Sequence, residues 1–235
     1  MSSTTQAQAQ QDPVAAAGLP QPLLLGSASF TRKLILKEMN VKYHILVRPI
    51  DEKSLGDRSQ DTPTDLVAVL AKAKMDHLCS EIQAGRCDDD LPIKRNNWIV
   101  LTGDQVVTCN GAILEKPESI EEARDFVARY ARHPPSTVGS CVLRHEPSGV
   151  TVAGVDTATI HFASNIPANL IDSLIKDDAP VLSCAGGLMV EHPLVKQYIE
   201  RIDGTEDSVM GLSKDLVLRL LQELAVELKK QGIEP

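Results

Sequence analysis

Aromatic side chains are scarce: one Trp, three Tyr and three Phe make up 3% of the 235 residues. That leaves little with which to stack the bases of a polynucleotide. Basic residues are outnumbered too, 24 Lys and Arg against 32 Asp and Glu, and a net charge of −8 repels a phosphate backbone. A nucleic-acid polymer is therefore not an expected partner, while one small phosphate ligand in a locally basic pocket stays open. No apolar run reaches the ~18 residues of a membrane span, so no membrane partner is expected. The five cysteines (Cys79, Cys87, Cys109, Cys141, Cys184) form no C-x-x-C pair and no zinc-like spacing with histidine. An odd, scattered set reads as reduced intracellular thiols. The G-x-S-x-G elbow of serine hydrolases and the Gly-Lys-Ser ending of a Walker loop are both missing. Residues 1–20 are rich in Gln, Ala, Ser and Thr and hold no Lys or Arg. They read as a disordered tail rather than a targeting signal, and the expected location is cytoplasmic.

The remainder, 21–235, carries the pattern of one α/β domain. Pro22–Gly26 is a short buried strand, and Ser29 caps a helix running to about Met39. Tyr43–Ile50 is a second strand. Thr62-Pro63-Thr64-Asp65 opens a helix to about Cys79, followed by a polar loop over 80–97. Trp98–Gly103 is a strand, and Val106–Cys109, Asn110-Gly111 and Ala112–Leu114 form a tight hairpin. Ser119 opens a helix to about Arg132. Two long strands, Thr137–Arg144 and Val150–Phe162, flank a turn. Asn165 caps a helix bearing Leu170, Ile171 and Leu174, and Ser213 caps the last helix with its leucine stripe. The expected architecture is one extended mixed sheet with helices in two lobes.

Four segments carry chemistry. Gly26-Ser27-Ala28-Ser29-Phe30-Thr31-Arg32 joins a strand to a helix, where outward N–H groups, two hydroxyls and an Arg fork suit an anion; a capped helix with a surface Arg fits equally. Lys74 falls on the apolar stripe of Val67, Leu70 and Leu78, so it must reach an anion or snorkel out. Asp104-Gln105 follows an apolar strand, where α/β folds place ligands. Asp51-Glu52 does the same, and paired acids suit a hard cation such as magnesium. Lys116 closes the hairpin as a further phosphate contact. In Cys184-Ala185-Gly186-Gly187 the adjacent glycines allow close approach to a flat ligand, and the carboxylate of Glu191 can accept from two ring N–H groups of a guanine. One anion site, several cations and two sets of acids fit metal-assisted attack of water on a nucleotide polyphosphate.

Taken together, these motifs resemble the Maf family of nucleoside triphosphate pyrophosphatases from Leu23 to Leu221. The resemblance rests on Ser27-Ala28-Ser29…Arg32, Ile50-Asp51-Glu52-Lys53, Leu70-Ala71-Lys72-Ala73-Lys74, Gly103-Asp104-Gln105-Val106, Ile113-Leu114-Glu115-Lys116-Pro117 and Ile202-Asp203-Gly204…Val209-Met210-Gly211-Leu212. It implies a single Maf-like, inosine-triphosphatase-like domain with a cleft between its lobes, usually as a homodimer. It implies cleavage of a nucleoside triphosphate to monophosphate and pyrophosphate with a divalent cation, Mg²⁺ or Mn²⁺. Asp104 would activate water. Ser27, Arg32, Lys74 and Lys116 would hold phosphates, and Glu52 with Asp104 would hold the metal. Thr31, Gln105 and Glu191 occupy the positions tied to base choice. Asp-Gln in the central motif and Cys-Ala-Gly ending in Glu resemble the 7-methyl-GTP subgroup. A dTTP/UTP or broad-range pyrophosphatase is the alternative, and a nucleotide-binding module without turnover the alternative from another class. Phe30 replaces the proline usual in the family, and His192-Pro193 follows Glu191 where a glycine is usual.

Overall fold

The computed structural model describes residues 11–94, 96–167 and 169–234. Seven strands form one mixed sheet: β1 (Leu23–Leu25), β2 (Tyr43–Ile45), β3 (Trp98–Cys109), β4 (Ala112–Leu114), β5 (Ser136–Glu146), β6 (Thr151–Phe162) and β7 (Ile199–Asp203). Their order is β2-β1-β3-β5-β6-β7, with β4 paired to β3. The pairs β1–β2 and β1–β3 are parallel and the others antiparallel.

Alternation within the strands sorts the core. Leu23 and Leu25 of β1 and Ile99 and Leu101 of β3 pack on α2 (Phe30–Glu38) and α8 (Lys214–Lys230). Leu24 and Val100 point the other way, onto Met75 and Leu78 of α3 (Pro63–Gln83). Both faces are buried there, so these strands read as continuous apolar runs. The outer half of β3 leaves this core, and Val107 and Cys109 join a second one with α4 (Ile120–Tyr130) and α5 (Leu170–Lys176). The expected sheet and two helical lobes are therefore present, with β3 running through both.

Several boundaries differ from the sequence reading. The tail is not disordered throughout: Pro13–Ala16 form α1, capped by Asp12. Asp12 also accepts from the amide of Lys42 at 2.8 Å, and Val14 and Leu19 are buried in the core around α8. Residues 1–10 of that tail lie outside the described residues. Two apolar side chains and one acid anchor the segment, which its Gln/Ala composition concealed. β2 ends at Ile45 rather than Ile50, because its partner β1 stops at Leu25, whose carbonyl accepts from Leu46 at 3.0 Å. α3 runs past Cys79 to Gln83, since Ile82 still packs on the core under Trp98. Asn165 does not cap α5; Asn169 stands at its start without a side-chain bond. Ile166 precedes Pro167 and is disfavoured from helical backbone. Gly103 does not end its strand either. It pairs with Cys141, and Asp104 and Gln105 continue the ladder opposite Ser140 and Gly139.

Removing residues 1–20 is expected to lower stability measurably, whereas removing 1–10 tests the segment outside the anchor. Burial of Val14 and Leu19 is worth about 1.5–3 kcal/mol each. Denaturant melts of the two truncations are the check: equal stability of the full chain and the shorter form would mean that α1 contributes nothing.

Candidate functional site

The cleft lies where β1 stops. Gly26 donates to Leu101 O at 2.8 Å, and from there until β4 pairs at Val107 β3 has no strand on its β1 side. Ligands of α/β sheets sit at such carboxyl ends. Asp104 is thus mid-strand on β3 but at the end of β1. The cleft, about 1060 Å³, is lined among others by Ser27, Thr31, Arg32, Glu52, Lys74, Asp104, Gln105, Lys116 and Glu191. Every residue singled out from the sequence as a site candidate therefore reaches one cavity.

Arg32 is the most constrained of them. Ser29 accepts from its amide at the start of α2, and the helix directs the side chain inward, where the residue is 8% exposed. Its Nη1 donates to Ser27 Oγ at 3.2 Å and to Gly103 O at 2.9 Å, and its Nε donates to Gly211 O at 3.0 Å. Burial lowers its pKa, and the nearby Asp104 opposes that shift. At Gly103 a β-carbon would stand 2.5 Å from Ser140 O and 3.7 Å from the guanidinium carbon, so close approach fixes this glycine.

Lys74 is carried by α3, whose register two buried hydroxyls set. Thr102 Oγ1 donates to Ala71 O at 2.9 Å and Ser140 Oγ to Val67 O at 2.7 Å. The Lys74 ammonium then meets Asp104 Oδ1 at 2.5 Å and Glu52 Oε1 at 3.0 Å. The sequence left Lys74 either reaching an anion or snorkelling out; it reaches two anions, one from the sheet and one from a surface turn. Burial raises the pKa of Asp104, Lys74 and Arg32 pull it back, and Glu52 adds to the rise. Lys116 is exposed on the cleft wall.

The residues expected to choose the base behave differently from one another. Gln105 Nε2 donates to Val209 O at 2.8 Å, in α7 (Glu206–Met210), so its amide is already engaged. Thr31 Oγ1 shares a 3.0 Å hydrogen bond with Ser29 Oγ. Glu191, just before α6 (Pro193–Lys196), keeps a buried Oε1 with no hydrogen-bond partner among the described residues. Burial pushes its pKa up from the ordinary value. The glycines before it serve the protein rather than a flat ligand. A β-carbon at Gly186 would stand 2.6 Å from Tyr130 Oη, and one at Gly187 would be 3.4 Å from Ala123.

Sequence reasoning missed Arg58 and the backbone of α7. Arg58 lines the cleft and pairs with Glu115 across 57 positions of sequence. Gly211, which ends α7 at φ 111°, receives Arg32 from 179 positions away. Neither distance has a local signature; a glycine closing a short capped helix was the one available signal.

A family model described as Maf-like protein matches residues 22–224. The chain is 35% identical over 205 residues to a 7-methyl-GTP pyrophosphatase of Dictyostelium discoideum, covering 87% of this chain and 98% of the relative. It is 30% identical to a nucleoside triphosphate pyrophosphatase of Nocardia farcinica (87% and 93% covered) and 27% identical to a dTTP/UTP pyrophosphatase of Salinibacter ruber (86% and 90%). The chain belongs to the Maf family.

Two outcomes follow from this geometry. Arg32→Ala is expected to destabilise the fold as well as the site, because it strands the carbonyls of Gly103 and Gly211, and a buried unsatisfied acceptor costs about 1–3 kcal/mol. A melt unchanged from wild type would show that Arg32 serves the ligand alone. For Glu191 the folded pKa lies above the unfolded one. Its contribution is then fully present below the ordinary glutamate value and is lost as pH rises through the raised value. Glu191→Gln should accordingly raise Tm at neutral pH, with the gain shrinking as pH falls toward the ordinary carboxylate range. A gain constant across pH would refute this origin.

Proposed function

We propose that the chain hydrolyses a nucleoside triphosphate to the monophosphate and pyrophosphate, with 7-methyl-GTP as its substrate. The observation that carries the reaction is the convergence of Glu52 and Asp104 on one cation position, the Lys74 ammonium, beside the buried Arg32. The names of the relatives support the same activity, and the most similar of those described is a 7-methyl-GTP pyrophosphatase.

In this reading the triphosphate lies along Ser27, Arg32, Lys74 and Lys116. The Nη2 of Arg32 faces the phosphates, since Nε and Nη1 hold backbone and Ser27. Asp104 accepts the proton of the attacking water; burial raises its pKa above the ordinary value, the direction that strengthens a base. Glu52 and Asp104 fit a Mg²⁺ or Mn²⁺ ion by donor chemistry, for such ions take one or two carboxylates and complete their shell with water and phosphate oxygens. When bound, that ion supplies charge neutralisation at the phosphates. Among the described residues no group of three or more His, Cys, Asp and Glu converges as a metal cage.

The buried, unpartnered Oε1 of Glu191 supports a guanine, whose edge donates two N–H groups. Methylation at the seven-position adds positive charge to the base, and charge-assisted hydrogen bonds are worth about 1.5–3 kcal/mol each. Gln105 contributes by holding α7 against the cleft, and Thr31 by lining its mouth. Five unpaired thiols fit a reducing cytoplasm, and no helix among the described residues is long and apolar enough to cross a membrane. A homodimer rests on the family resemblance alone.

The test is pyrophosphate release from 7-methyl-GTP, GTP, UTP and dTTP with Mg²⁺. The highest kcat/KM is expected for 7-methyl-GTP, and Glu191→Gln should lower it about tenfold, or ~1.4 kcal/mol. Asp104→Asn should cost ~10²–10⁴-fold in kcat with the fold intact. Preference for UTP or dTTP would overturn the substrate, and binding without pyrophosphate release would leave a nucleotide-binding module.

A further inference from the structure

Glu52 poses a mechanical question. It is half-exposed, on a single 3₁₀ turn (Glu52–Ser54) whose N-cap, Asp51, makes no side-chain bond, yet its carboxylate sits 3.0 Å from Lys74. The turn's own bonds, Ser54 Oγ to Asp51 O at 2.8 Å and two backbone bonds at 3.3 Å, do not reach the Glu52 carboxylate. One side chain supplies what the turn lacks. Arg58 Nη2 donates to Glu52 O at 3.0 Å, and Nη1 donates to Leu55 O, so a single guanidinium grips both ends of the turn. The same group faces Glu115, with Nε 3.2 Å from Oε2 and Nη2 3.3 Å from Oε1. Glu115 follows β4 directly, and its carbonyl accepts from Gly186 at 3.0 Å. The turn bearing Glu52 is thereby tied to the opposite wall of the cleft. Lys53 and Glu118 form a second bridge at 2.8 Å, but both are more than three-quarters exposed, and such pairs contribute little. The fork of Arg58 is the better-built contact, because a planar guanidinium fixes geometry that an ammonium does not.

We propose that Arg58 is a positioning residue, clamped by Glu115, that keeps Glu52 within reach of Lys74 and Asp104. The inference rests on the reading of Glu52 as a carboxylate that works on the reaction's cation. Loss of the clamp leaves the chemical groups in place and loosens one of them.

The experiment compares Arg58→Ala, Arg58→Lys, Glu115→Gln and Glu52→Gln in the full chain. Mn²⁺ binding to the nucleotide-free protein is read by electron paramagnetic resonance, alongside kcat, KM and thermal melts. Arg58→Ala should weaken Mn²⁺ binding and kcat by roughly tenfold, in the range that outer partners of metal ligands set, with KM for the nucleotide at saturating Mg²⁺ little changed. Glu115→Gln should shift both in the same direction by less, and Arg58→Lys should recover part of the loss. The double variant Arg58→Ala/Glu115→Gln should be no worse than Arg58→Ala. Unchanged Mn²⁺ affinity and kcat in Arg58→Ala would overturn the proposal. So would a raised KM with Mn²⁺ affinity intact, which would place Arg58 on the phosphates. If Glu52→Gln is itself silent in both readouts, the failure lies with the reading of Glu52, and the clamp has nothing to position.

Discussion

A buried guanidinium holds this cleft together. Arg32 sits under α2 with its charge almost out of water, a costly placement unless hydrogen bonds replace the lost solvent. Its partners are one hydroxyl and two carbonyls, drawn from the β1–α2 loop, the middle of β3 and the end of α7. These are three segments that chain connectivity keeps far apart. A neutral side chain of that length would satisfy none of them. The same group lowers the cost of ionising Asp104, so folding and electrostatics share one contact.

The second constraint is the seating of α3. Apolar packing against Leu24 and Val100 allows a helix to slide, but hydroxyls from Thr102 and Ser140 meet two carbonyls one turn apart and fix its register. Lys74 then falls opposite Asp104. The Ser140 hydroxyl also accepts from the Asp104 amide at 3.2 Å, so the strand that carries Asp104 and the helix that carries Lys74 are set by one residue.

How much of this was legible in the sequence depended on distance. Caps at Ser29, Thr62, Ser119 and Ser213 were readable because their partners lie three residues on. The stripe that turned Lys74 inward was readable for the same reason, as was the Asn110-Gly111 hairpin with both residues at positive φ. All of the candidate site residues reach the cleft. What escaped was tertiary. The ladder that carries β3 through Gly103 depends on β5, 36 or more positions away at Asp104. The grip of Arg58 on Glu115 and of Gln105 on Val209 crosses loops whose composition says nothing of where they fold back.

The continuity of β3 has a consequence for motion. Asp104 sits on a central strand paired along its length, whereas Glu52 rides on an exposed 3₁₀ turn held by the fork of Arg58. The two carboxylates therefore live on different clocks. One jaw of the cleft opens only with the sheet that carries it, and the other owes its place to a single guanidinium.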